Sequence, residues 1–390
     1  MDELFIASPF TGYVYPNETI IPWTVLIVVY PYLTGLVAGA FTISSLYQVF
    51  GFKQLKPVAH FALLISLCCM VTVPIPLLLH LGHPERAFNA MITPHTTSAF
   101  AIFGYAAAFY VILLVLETWF VFRPYIVHQA QQRTGVLGWY YRILSLGSYD
   151  LSKKAMSYDQ KWIFALAIIG IPGAHGLHGY VGFVFGSLKS REWWSSDLMP
   201  VIFLFSAIIS GTAFVIVLYV LSCKLRKVSV DLSCLKVMAY SLWGFMMFTL
   251  LLEGVEFASL VYRGREGIEI IMEFVKGPLL IPFFILQFGI GSVLPLLMIT
   301  YVIWRSIGGK TLVRVVTGSA VLVLLAVLMM RYNVVIGGQE ISKTAKGLLS
   351  YQPTILGREG VLAAGIVLVI PMILLSVLVR LFPPWEEAEA

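Results

Sequence analysis

Nine runs of apolar residues, each long enough to cross a lipid bilayer, constrain this chain more than any other feature. They fall roughly at 21–50, 57–81, 97–122, 160–187, 198–222, 235–262, 277–304, 311–331 and 360–382. A helix needs about 20 apolar residues to span about 30 Å of hydrocarbon. No water in that layer satisfies the backbone, so each segment must bond within itself or close into a barrel. The runs are continuous instead of alternating, which excludes a barrel. The expected fold is an all-α integral membrane protein of about nine transmembrane helices. Composition agrees: charged residues are 12% of the 390, against roughly 25% in soluble domains.

The formal charge of +6 does not mark a nucleic-acid surface, because the basic residues are spread among the connecting loops. Their partner is the lipid bilayer, and topology accounts for them. The connections at 51–57, 123–161, 223–236 and 305–314, with Arg380, hold 16 of the 26 Lys and Arg residues; the other side holds 10. The positive-inside rule then places the amino terminus outside and the carboxyl terminus inside. Within the longest loop, VLGWYYRILSLG has the make-up of a short interfacial helix. Met1 to Asn17 include Asp2 and Glu3 and no basic n-region, so this stretch does not read as a signal peptide. Cys68, Cys69, Cys223 and Cys234 lack metal-ligand spacing and read as packing residues.

A weak repeat organises the spans. YLTGLVAGAF in span one sets Gly35 and Gly39 four apart, and FLFSAIISGTAF in span five does the same with Ser206 and Ser210. Small residues at this spacing let helices approach closely. The expected layout is an outer segment (1–20), two parallel four-helix bundles (21–187 and 198–331), an outer loop (332–359) and a C-terminal helix with a short inner tail (360–390). Pro31, Pro74 and Pro76 interrupt spans one and two, which membrane helices tolerate where neighbours satisfy the freed carbonyls.

Under this topology several polar residues converge on the outer side. They are the turn LHLGHPERAFNAM with His80, His83 and Arg86, then His175 and His178, then Glu253 and Glu256, then Arg331, Asn333 and Gln339. Ionisable residues in membrane spans cost at least about 2.5 kcal/mol on insertion scales and so invite a functional reading. A carboxyl such as Glu256 or Glu253 exchanges a proton with a quinol or bonds a quinone carbonyl; the plainer role is a helix–helix hydrogen bond, which leads for Glu253. His178 reads as a proton-handling residue and His175 as a packing one. Glu117 reads as a carboxylate snorkelling to the surface, with a proton path as the alternative. Haem b would need histidines on facing helices, yet His60 and His80 share one helix and His175 and His178 share one turn, so no haem is expected. No metal site, Gly-rich phosphate loop or nucleophile elbow is present.

These residues, in this order, resemble the NrfD/PsrC family, the membrane subunits of polysulfide reductase and related respiratory complexes. The resemblance rests on Tyr32, Leu33, Gly35 and Gly39 in span one, and on Leu81, Gly82, Pro84 and Arg86 in HLGHPER. It continues through His178, Trp194, Pro200 and SAIISG, through Glu256 six residues before Tyr262, and through RYNVVIGGQ from Arg331 to Gln339. His80 stands where the family usually has Asp, His83 where it has Arg, and Gln287 where an acidic group is expected. The resemblance implies a subunit of a prokaryotic cytoplasmic membrane that binds menaquinone or ubiquinone near the outer face. It implies electron exchange with an iron–sulfur partner, itself joined to a molybdopterin or other catalytic subunit. His178 and Glu256 would handle protons or the headgroup, with His80, His83, Arg86, Glu253, Arg331 and Gln339 binding around them. A secondary transporter and a passive anchor are the other readings of the same polar groups.

Overall fold

The computed structural model describes residues 20–95, 97–98, 101–264, 268–344 and 347–385. The expectations for residues 1–19 and for the tail from 386 lie outside the described residues. Among those described there are nine helices long and apolar enough to span a membrane, and the chain is a multi-pass membrane protein. They are α1 (Val25–Gln48), α2 (Lys53–His80), α3 (Ala101–Gln132), α5 (Lys153–Gly186), α6 (Met199–Leu225), α7 (Leu232–Arg263), α9 (Leu280–Trp304), α10 (Gly309–Val335) and α11 (Val361–Leu381). Among the shorter helices between them are α4 (Gly135–Leu144) and α8 (Ile268–Lys276). Two ends of the bundle follow from this order, the Trp23 end, where α1 begins, and the Lys53 end, where α2 begins.

Helices α1, α2, α3 and α5 pack in a ring, as do α6, α7, α9 and α10, and α11 lies against α2 and α1. The rings meet through α1 and α6. In α1, 94% of the most apolar stretch is buried, against 22% in α9 and α11, so α1 is the axis of the molecule and the later helices face lipid. The close approach is made by glycine. A methyl on Gly39 would overlap the Ala207 carbonyl and the Gly211 backbone, and one on Gly211 would overlap Gly39 and Ala40. The contact in α6 is therefore one residue past Ser210, the small residue at the repeat position.

Sequence chemistry also shapes the ends. Ser152 and Asp231 cap α5 and α7, each accepting a backbone N–H of the first turn. Gly264 adopts a left-handed φ of 54° and stops α7. Residues 280–293 of α9 are wound as a π-helix, a form usually confined to single turns at functional sites. Helix α3 runs ten residues past its expected end, to Gln132, because Arg123 is neutralised inside the protein. Its guanidinium bonds Asp159 at 2.7 Å, the Ser148 hydroxyl at 3.2 Å and the Asp150 carbonyl at 2.9 Å. The Asp150 carboxyl, in the loop, is held below its usual range by the Ser152 backbone and hydroxyl.

Candidate functional site

The fold leaves a narrow cleft inside the second ring. Its walls come from α6, α7, α9 and α10, with Trp193 at the Trp23 end. Apolar side chains dominate, among them Ile202, Phe257, Leu260 and Phe283, and four polar ones interrupt them: Glu253, Glu256, Gln287 and Asn333. Largely apolar walls with a few convergent polar groups are the ordinary make-up of a small-molecule site. Helix α8 closes this region at the Trp23 end, burying Ile270, Ile271, Phe274 and Val275 beside Phe257, Leu260 and Phe283. Its Glu269, Glu273 and Lys276 stay exposed.

Three of the polar groups form a chain. Asn333 Nδ2 donates to Gln287 Oε1 at 2.8 Å and to the Pro282 carbonyl at 3.2 Å. Gln287 Nε2 donates in turn to Glu253 Oε2 at 3.3 Å. Two oxygens are left over: Glu256 Oε2 and Asn333 Oδ1 are buried without a hydrogen-bond partner. A buried acceptor without a donor costs about 1–3 kcal/mol, so these atoms mark where a ligand would be held.

Arg331 stands behind the cleft, fully buried at 0% exposure. Its Nη2 donates to His178 Nε2 at 2.9 Å and to Ser206 Oγ at 2.6 Å, and its Nη1 reaches the Met330 sulfur at 3.2 Å. The charge lies 3.9 Å over the Phe203 ring. Met330 also lines the cleft and so separates it from the guanidinium. Every one of these partners is neutral. Among the described residues no carboxylate lies within ion-pair distance of Arg331, and its Nε has no partner. A guanidinium only donates, so His178 Nε2 must be the bare acceptor and the ring proton sits on Nδ1. That proton points to Thr34 Oγ1 at 3.1 Å, whose own hydrogen passes to the Pro31 or Tyr30 carbonyl. His178 is thus held neutral and oriented, one bond from a buried cation.

The remaining residues singled out in the sequence lie elsewhere. Gln339 clamps the start of α1: its Oε1 accepts from Trp23 N at 3.0 Å, and its Nε2 donates to the Val335 and Trp23 carbonyls. Trp23 stacks on Trp194 at 5.3 Å, and Trp194 bonds the Val334 carbonyl. His80 meets Glu359 at 3.0 Å, and Arg358 bonds the Leu78 and Leu81 carbonyls, which ties the turn to the loop before α11. His83 pairs with its neighbour Glu85, and Arg86 is exposed. None of His80, His83, Arg86, Arg331, His178 or Gln339 lines the cleft; Glu253 and Glu256 do. The four histidines considered for haem do not pair: His60 and His80 are near opposite ends of α2, and His175 and His178 lie on one helix.

The structure adds Thr34, Ser206 and Phe203 to the constellation and joins Gln287 and Asn333 to Glu253. Thr34 and Ser206 sit in small-residue strings that read as packing, and only Gln287 and Asn333 stood out as polar residues in apolar spans. Glu117 differs from its expected surface position. It is 0% exposed, with both carboxyl oxygens unpartnered, because the extended α3 sets it more than three turns from the helix end.

A multi-pass helical membrane protein with a polar-lined cleft in one ring of helices is the class these observations define. The family model for polysulphide reductase, NrfD, matches residues 15–342, and the chain belongs to that family. It is 30% identical over 382 residues to a selenate reductase subunit of Mesobacillus selenatarsenatis, covering 94% of this chain and 86% of that one. It is also 24% identical over 214 residues to a putative dimethyl sulfoxide reductase membrane subunit of Halobacterium salinarum, covering 55% and 46% respectively.

Proposed function

We propose that this chain is the membrane-anchoring subunit of a respiratory reductase complex and that it binds a menaquinone or ubiquinone headgroup in the cleft beside Glu256. The pair of bare oxygens, Glu256 Oε2 and Asn333 Oδ1, carries the reading. Two acceptors in an apolar cleft complement the hydroxyl donors of a quinol, and a protonated Glu256 complements a quinone carbonyl. The apolar walls suit an aromatic ring with a prenyl tail. The relatives named as reductase subunits support a place in a multisubunit complex.

A bound quinone would supply two-electron, two-proton redox chemistry. Glu256 would exchange a proton with the headgroup oxygen, and Asn333, fixed by Gln287, would set its position. Arg331 would bias the cleft toward negative charge as electrons arrive. The four cysteines are buried and free, and among the described residues no three His, Cys, Asp or Glu side chains gather as a metal site. Electrons would therefore pass to an iron–sulfur partner at the Trp23 end, backed by a molybdopterin or other catalytic subunit. His80, His83 and Arg86 belong, in this proposal, to that docking surface and not to the headgroup site.

The test is Glu256→Gln in the intact complex. It removes the exchangeable proton and keeps the shape. Quinone-coupled turnover should fall about 100-fold or more, the range of a lost general acid or base, while the subunits still co-purify. Turnover equal to wild type rejects the assignment.

A further inference from the structure

We infer that the first ring of helices carries a proton path, running from a cleft at the Lys53 end through Glu117 to the His178–Arg331 cluster. The inference rests on the quinone reading, since it brings protons as far as the cluster behind Met330, but its central residue lies outside the proposed headgroup site. The starting observation is Glu117, wholly buried, with no donor to either oxygen. A charged carboxylate there would be costly, so the group holds a proton.

Polar groups continue from it in both directions. Toward the Lys53 end, Val121 is one turn, or about 6 Å, along α3. Val121 lines an open cleft that also takes in Tyr47, His60, Gln160 and Asp231. Protons in the adjoining water therefore reach to within about one helical turn of Glu117. Toward the Trp23 end, Tyr110 is two turns away on the same face of α3, about 10 Å along the axis. Its hydroxyl is buried, beside the Ser66 hydroxyl. The Tyr110 ring packs on Phe41 at 5.8 Å, and a methyl on Gly173 would lie 3.3 Å from it. Ser44, one turn from Phe41, is a buried hydroxyl without a partner.

Two residues past Gly173 stands His175. Its Nε2 meets Thr42 Oγ1 at 3.4 Å, and its Nδ1 is buried and unpartnered. His178 follows one turn later with Thr34 and Arg331. The buried polar atoms of Glu117, Ser44, Tyr110 and His175 thus lie at successive levels of the first ring between the cleft and the cluster. Buried polar atoms of this kind are what internal water satisfies, and water between them would complete the series. Along it only O–H and N–H bonds form and break, each group passing on one proton as it receives another.

The experiment uses the purified complex, reconstituted in vesicles of known orientation, with Glu117→Gln and Glu117→Asp. In the infrared spectrum, Glu117→Gln should remove a protonated-carboxyl band, and during quinone-coupled turnover proton exchange with the medium at the Lys53 end should slow about 100-fold. A quinone analogue should bind with wild-type affinity, and Glu117→Asp should recover much of the exchange. The path is overturned if Glu117→Gln removes no carboxyl band, or if exchange at the Lys53 end persists at the wild-type rate. An effect of Glu256→Gln on turnover, with none of Glu117→Gln, rejects the path and leaves the quinone site standing. Loss of analogue affinity in Glu117→Gln would show a structural defect in place of a relay, and would reject the path as well.

Discussion

Arg331 sets the energetic problem at the scale of single residues. A buried cation surrounded by neutral groups is tolerated because both Nη2 hydrogens and one on Nη1 are used, by His178, Ser206 and Met330, and because the Phe203 face lies beneath it. Replacing a buried charge with an apolar side chain of similar size is often neutral for stability, whereas shortening it leaves partners stranded. Arg331→Met keeps the bulk and should therefore fold with a melting temperature near that of wild type. Arg331→Ala, which opens a cavity among neutral partners, should lose about 2–5 kcal/mol in chemical or thermal unfolding. Both should weaken binding of a quinone analogue, measured by titration in nanodiscs, because the positive field behind the cleft is gone. Unweakened binding in Arg331→Met would confine the residue to packing. Arg331 was legible in the sequence as a charge in an apolar run, and so was His178. Their joining was not, because Ser206 and Thr34 look the same in a sequence whether they pack or donate.

At the scale of elements, the contact between α1 and α6 decides how the two rings meet. Helix association in a bilayer gains nothing from hiding apolar surface from lipid, so backbone proximity and close packing must supply it. Gly39 and Gly211 touch backbone to backbone, and no rotamer relieves a side chain placed there. Gly211→Val should cost at least about 1–3 kcal/mol, the usual range for overpacking. It should also pull Ser206, one and a half turns away on α6, out of register with Arg331. Lower melting temperature together with weaker analogue binding is the expected pair of results; a fully stable Gly211→Val would remove this contact as the organising one. The sequence showed the small-residue strings but put the α6 contact at Ser206 and Ser210, one position short of the glycine. A pattern of spacing gives the period of a face, and the partner helix chooses the point of crossing. The π-wound stretch of α9 was not legible either, since nothing in LIPFFILQFGIGSV distinguishes it from an ordinary apolar helix. Glu117 was misplaced for a related reason: hydropathy ended span three where charge appeared, and the structure continues it by pairing Arg123 with Asp159.

For the whole molecule the question is which end faces which side of the membrane. The cleft beside Glu256, α8 above it and the His80 turn belong to the Trp23 end, while the cleft below Glu117 and the interhelix loops rich in Lys and Arg belong to the Lys53 end. Of the 26 basic residues, 16 fall on the Lys53 side of the layout and 10 on the other, which by the positive-inside rule would turn the Trp23 end outward. Electron exchange with a partner would then occur outside, with protons drawn from or delivered to the inside, so that turnover would separate charge across the bilayer. The arrangement is testable without the partner subunits. All four native cysteines are buried, so a single introduced cysteine gives a clean signal. Gln352→Cys at the Trp23 end and Lys227→Cys at the Lys53 end both replace exposed side chains. In intact cells a membrane-impermeant maleimide should label Gln352→Cys at once, and Lys227→Cys only after permeabilisation. The reverse pattern would put the quinone cleft on the inner face, and the proton path would then open outward.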